Sequence, residues 1–216
     1  MFIRPKHAIA LAIALSLSLP LHAGNFGNRP TIPNRPAASY VAPTEAEAED
    51  MLYMREEEKL ARDVYLTLDD AWGISPFANI STSEQKHMNA MLLLLRKYRL
   101  PDPAAGNAVG EFTDRELQAL YDKLIAKGVR TPKDALEVGG LIEEVDMVDI
   151  QDAIAHADKP DIDAVYEDLM CGSRNHLRAF ARTYEALTGL PYKAQVLAQD
   201  VVNVILAGSV ERCGRL

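Results

Sequence analysis

At 216 residues and 48% hydrophobic side chains, the chain can bury the core of one domain with extensions, which excludes a disordered protein. Its formal charge of −8 excludes a nucleic-acid partner bound through phosphates, because that binding needs clustered Lys and Arg. Two cysteines, Cys171 and Cys213, are too few for a thiolate zinc or iron–sulfur site.

The chain opens on what reads as a secretory signal over residues 1–23. Arg4 and Lys6 supply the positive region, Ile9 to Leu19 the apolar core, and Leu21-His22-Ala23 a small-residue cleavage site. The apolar run is too short to stay as a membrane span, and no later segment could cross a bilayer. Without Arg4 and Lys6 the formal charge moves from −8 to −10, an acidity that suits solubility first and cation handling second. In an exported, periplasmic or secreted chain, two cysteines permit one disulfide, tying the C-terminal tail to the helix that carries Cys171. Residues 24–43, with Pro30, Pro33 and Pro36 at regular intervals, read as an extended tether.

Thr44, with Glu47 three residues on, predicts a capping box and the start of the first long helix, which Gly73 should close. Tyr53, Met54, Leu60, Ala61, Val64, Tyr65 and Leu68 repeat at helical spacing as its apolar face. Glu57 falls near the middle of that face, Glu58 near its edge, and Glu56 towards solvent. A carboxylate on a buried stripe costs several kcal/mol or more unless a cation, an Arg or a metal meets it.

The second helix carries two start signals, Ser75-Pro76 and Ser81, and should run to about Arg99. Its inward face reads Ile80, Glu84, His87, Met91, Leu94 and Tyr98. Glu84-Gln85-Lys86-His87 puts a carboxylate and an imidazole three apart on that face, a pairing used by metal-binding helix bundles. The plainer reading makes Ser81-x-x-Glu84 a capping box and His87 an ordinary helix residue. A long connection, about Leu100 to Arg130, follows, holding a short helix capped by Thr113 and Glu116 and ending near Gly128.

Thr131-Pro132 opens the third long helix, expected to be the most buried because it is apolar on most sides. Glu143 and Asp146 lie on one of its apolar stripes, and Glu144 lies between the two. Pro160 starts the fourth long helix, which ends near Gly189 and faces the core with Leu169, Gly172, Ser173, His176 and Phe180. Residues 191–216 read as a coil and a short helix around Val196 to Leu206, packed back on residues 44–190.

Four long helices with inward acids on the first and third, Glu84-x-x-His87 on the second and His176 on the fourth resemble the ferritin-like carboxylate bundles. The chain is similar to a bacterial ferritin-like family of unknown function over roughly residues 48–212. The stretches that carry the resemblance run from Met54 to Asp63, Ser83 to His87, Leu141 to Asp146 and Ser173 to Arg178. The first is also similar to the opening helix of rubrerythrin, and that likeness selects Glu58 as the ligand where the apolar stripe selects Glu57. The resemblance implies an all-α four-helix bundle, with a long crossover between its second and third helices and a short C-terminal helix. It also implies a metal site of Glu58, Glu84, His87, Glu143 and His176. Where the di-iron pattern has Glu-x-x-His on its fourth helix, this chain has Ser173-x-x-His176, so Asp146 and Glu144 are candidates for the missing acid. Iron or manganese suits such a ligand set, with zinc as the rival. The activity implied is oxidoreduction with oxygen or peroxide, with Tyr65 or Tyr98 as redox-active neighbours. The other reading is a scaffold for metal sequestration or protein interaction, and a homodimer is a possible assembly for either.

Overall fold

Thr44 begins the first helix as its spacing to Glu47 predicts: the threonine hydroxyl accepts from the Glu47 amide, and the Glu47 carboxylate accepts in return from the Thr44 amide at 2.7 Å. The computed structural model describes residues 40–214, so the expected signal and most of the tether lie outside the described residues. Six α-helices and no strand occur among those residues. They are α1 Glu45–Trp72, α2 Ser75–Lys97, α3 Arg115–Gly128, α4 Pro132–His156, α5 Pro160–Thr188 and α6 Gln199–Ala207. None is long and apolar enough to cross a membrane.

The punctuation of the sequence sets most boundaries. Gly73 and Gly189 close α1 and α5 in the left-handed conformation that glycine adopts without penalty. Thr131 caps α4 with its side chain on the Asp134 amide, ahead of Pro132. The short connections fold α2 back along α1 and α5 back along α4, and each pair packs closely. α1 also packs on α4, and α2 on α5. α3 lies against α1 and α4, and α6 against α5. A core of Met54, Tyr65, Phe77, Met91, Ile150, Leu169 and Phe180 runs between the four long helices.

Four expectations change. Ser81 starts nothing: α2 is continuous from Ser75, and the Ser81 hydroxyl donates to the Ala78 carbonyl inside the helix, so the capping-box reading of Glu84 falls. Asp114, not Thr113, caps α3, accepting from the Glu116 and Leu117 amides. The last helix begins at Gln199 rather than Val196, because the amides of residues 195–197 are bound elsewhere. Finally, α4 is not the most buried helix, since Leu141, Val145 and Val148 stay half-exposed.

α1 is enclosed instead, and Met54 to Ala61 are buried on every side although five of those eight side chains are charged. Glu56, expected in solvent, is 3% exposed because its carboxylate accepts from the Thr113 and Asp114 amides of the crossover. Arg55 pairs with Asp102 and donates to the Met88 carbonyl. Lys59 pairs with Asp63 and donates to the carbonyls of Ala108 and Glu111. The long connection is thus held down on α1 by polar groups that it satisfies.

The tail is fastened to α5. Cys171 and Cys213 form a disulfide across 42 residues, as the even cysteine count predicts. Glu211 meets Arg174 and Arg178 beside it. Those two guanidiniums pull the Glu211 carboxyl down to about 2. Replacing both cysteines with serine is expected to lower stability by at most about 3–4 kcal/mol in the chain-entropy model. Urea unfolding of the double variant reads this loss, and thiol titration of the unfolded, unreduced parent should find no free thiol.

Candidate metal centre

Glu84 lies near the middle of α2, buried to 2%, because positions 80, 84, 87, 91 and 94 form the stripe that α2 turns inward. Its two oxygens go to different imidazoles. Oε2 is 2.7 Å from His87 Nδ1 and Oε1 is 2.8 Å from His176 Nδ1. Glu58 of α1 approaches His87 Nδ1 at 3.2 Å, and Glu143 of α4 approaches His176 Nδ1 at 3.4 Å. The residues fall into two sets, Glu58–Glu84–His87 and Glu84–Glu143–His176, in each of which one ligand atom per residue lies within 4.8 Å of the others. Glu84 belongs to both. The two imidazole rings stack with centroids 5.5 Å apart and planes inclined by 27°.

Of these four contacts only that of His87 Nδ1 with Glu58 has the geometry of a hydrogen bond. His176 Nδ1 is buried and has no hydrogen-bond partner, although a Glu84 oxygen lies 2.8 Å away. Glu58 Oε1 is likewise buried and unpartnered. Neighbouring ligands on one ion, at about 2.1 Å each, lie roughly 3 Å apart, which is the spacing found here. On its other edge the His176 ring meets Ser83 at 3.0 Å through Nε2. In the neutral tautomer that donates its Nε2–H to Ser83, the Nδ1 lone pair would be available to a metal.

Burial and crowding shift the titrations in the absence of an ion. Burial, outweighing His87, pushes the Glu58 carboxyl up to about 8. Burial also raises Glu143 against the pull of His176, and raises Asp146 well above the carboxylate range, with Glu58 and Glu143 adding repulsion. Glu84 alone is held low: burial opposes its charge, but His176 and His87 together outweigh that. Against burial, Glu58 and Glu84 raise His87 well above its usual range, and Glu84 and Glu143 push His176 up to about 10. Protons therefore hold the places a cation's charge could take, and loading a metal would have to displace them.

The expected residues divide as follows. Glu58, Glu84, His87, Glu143 and His176 come together, and Glu58 rather than Glu57 reaches the imidazole. Asp146 lies alongside, taking the Ser173 hydroxyl and repelling Glu58 and Glu143. Glu144 does not join them. Its carboxylate accepts from the amides of Gln195, Val196 and Leu197 and from the Tyr192 hydroxyl, so no lone pair is left for a metal. Tyr65 donates to Glu143 Oε1 at 2.5 Å, but Tyr98 hydrogen-bonds Asp161 near the end of α2, roughly 20 Å along the helix from Glu84.

Two contributors escaped the sequence reading. Ser83, next to Glu84 in the chain, meets the His176 ring. Gly172 was placed on the inward face without a reason; a β-carbon there would stand 2.6 Å from His87 Cε1 and 2.7 Å from Nε2, so the glycine makes room for the ring. A glycine on the buried stripe of a long helix was the available signal.

Comparison with known proteins gives the same span. The family described as "Uncharacterized protein domain (DUF2202)" matches residues 47–209, which include every residue of the centre. The "Uncharacterized protein MJ0754" of Methanocaldococcus jannaschii is 46% identical over 169 residues, 78% of this chain and 91% of that protein. The crystal structure of hypothetical protein MJ0754 from Methanococcus jannaschii matches with a TM-score of 0.77 at 43% identity, covering 81% of this chain and 99% of that one.

Proposed function

The chain belongs to the uncharacterized DUF2202 domain family, and from that premise we propose that it is a metal-binding protein whose α1, α2, α4 and α5 form a ferritin-like four-helix bundle around two ions of iron or manganese. The observation that carries this reading is Glu84, one buried carboxylate shared by two three-residue ligand sets, beside the buried His176 Nδ1 that has no hydrogen-bond partner. Glu58, Glu84 and His87 would hold one ion, and Glu84, Glu143 and His176 the other. Asp146, which feels the charges of Glu58 and Glu143, is the candidate for the fourth carboxylate. With it, four carboxylates balance two divalent charges, removing the penalty of burying them alone. The absence of thiolate favours iron or manganese over softer ions, with zinc as the rival.

Bound iron or manganese would supply electrons for reducing oxygen or peroxide, making the protein an oxidoreductase. The chain's own part is to fix the ligands, exclude bulk water and place the Tyr65 hydroxyl on Glu143. Export to the periplasm is part of the proposal, supported by the signal-like residues 1–23 and by the Cys171–Cys213 disulfide. A second reading, sequestration of metal without chemistry, is favoured by Ser173 standing where the di-iron pattern has Glu.

Metal analysis of protein purified without chelator is expected to find about two ions per chain, the complement of the two ligand sets. Chelation should lower the melting temperature; an ion present at 1,000 times its dissociation constant contributes about 4 kcal/mol by mass action. Oxygen or peroxide added to the ferrous-loaded protein should change its absorbance if it is an oxidoreductase. Loaded protein with no such change supports sequestration, and melting indifferent to chelator with no bound metal overturns both.

A further inference from the structure

Ser83 belongs to neither ligand set, yet its side chain reaches from α2 to a ligand on α5. A hydroxyl inside a helix commonly turns back to a carbonyl of its own helix, and the two residues before it do so: Ser81 and Thr82 both donate to the Ala78 carbonyl. Ser83 instead lies with Oγ 3.0 Å from His176 Nε2, while Nδ1 of the same ring faces Glu84 and Glu143. A ligating imidazole gives one nitrogen's lone pair to the ion and keeps a proton on the other. For His176 to ligate through Nδ1, its Nε2–H needs an acceptor, and Ser83 Oγ is placed to be one. Ser83 is half-exposed, so its own proton can turn to water. The Nε2 edge of His87 lies against Gly172 instead, which has no side chain to offer it.

We propose that Ser83 is a positioning residue for the Glu84–Glu143–His176 set: it fixes the rotation and the tautomer of the His176 ring so that Nδ1 is presented to an ion, and it acts on that set alone. Ser83 itself touches no ion. Outer partners of this kind are worth about 10–100-fold in metal affinity. The two ion positions are therefore unequal in what orients their imidazoles, with a hydroxyl behind His176 and a bare glycine beside His87. This inference rests on the proposal that the centre itself holds ions.

The test is a Mn2+ titration of the full, metal-freed chain, with free Mn2+ counted by electron paramagnetic resonance, on the parent, Ser83→Ala and Ser83→Thr. The parent should take up two equivalents. In Ser83→Ala one of them should weaken by about 10–100-fold and the other should bind as in the parent. Ser83→Thr keeps the hydroxyl and can turn its methyl to solvent, so it should restore the parent's behaviour. Alanine suits a helix at least as well as serine, so metal-free Ser83→Ala should fold and melt no lower than the metal-free parent. Two unweakened equivalents in Ser83→Ala, both weakened alike, or no recovery in Ser83→Thr overturns the role of Ser83 and leaves the centre standing. No uptake by the parent overturns the centre, and the role of Ser83 with it.

Discussion

His87→Ala is expected to strip metal from the protein, lowering affinity by more than about 100-fold, since losing even an outer partner of a ligand costs about 10–100-fold. His87 is an ordinary helix residue in the plainer reading, which predicts no change in metal content. That reading drew its force from Ser81 as a cap, and Ser81 is mid-helix. Gly172→Ala is the sharper version of the same experiment because it leaves every ligand in place. Its added methyl would stand within 2.7 Å of His87 Nε2, too close for carbon against a ring, so the imidazole or α5 has to move. Metal content of the Gly172→Ala protein should fall with that of His87→Ala. If both variants retain the parent's metal and the parent's response to chelator, the centre is wrong.

Lys59→Met is expected to cause the largest loss of stability outside the centre, about 3–5 kcal/mol, the range found when one partner of a buried ion pair is removed. Lys59 is 1% exposed, Asp63 beneath it is fully buried, and the ammonium also serves the carbonyls of Ala108 and Glu111 and faces the Phe112 ring. Methionine fills the space but donates nothing. Arg62 and the Gly110 amide remain on Asp63, which sets the loss towards the lower end of that range. Chemical denaturation measures the loss, and hydrogen exchange should rise first in residues 108–113. Lys97→Met, at an exposed pair with Asp161, should leave stability nearly unchanged.

Much of the helix order could be read from the sequence because caps are local. Thr44 and Glu47, Gly73, Thr131-Pro132 and Gly189 each act within one turn of chain. The inward positions of Glu84, His87, Glu143 and His176 were legible for a similar reason: a stripe on one helix already says which side faces the core. What failed was non-local. Glu56 looked solvent-facing because its own helix offers it no partner, and the amides that bury it arrive 57 residues later. Glu144 looked like a spare ligand because nothing near it in the chain signals the amides of residues 195–197. The choice between Glu57 and Glu58 turned on one step of helix rotation, where periodicity is least decisive, and it is Glu58 that reaches His87.

The clasp on Glu144 also bears on the order in which this chain can fold as it is made. A domain emerging from the ribosome consolidates as its partners appear. Here Glu143 and Glu144 are neighbours, yet Glu143 needs His176, Glu144 needs the amides up to Leu197, and Cys171 needs Cys213. A chain cut anywhere before residue 197 would leave the Glu144 carboxylate short of the amides that satisfy it, so the packing of α4 depends on the C-terminal segment. Shortening the chain from its C-terminal end should therefore disturb α4 first, well before residue 188 is reached.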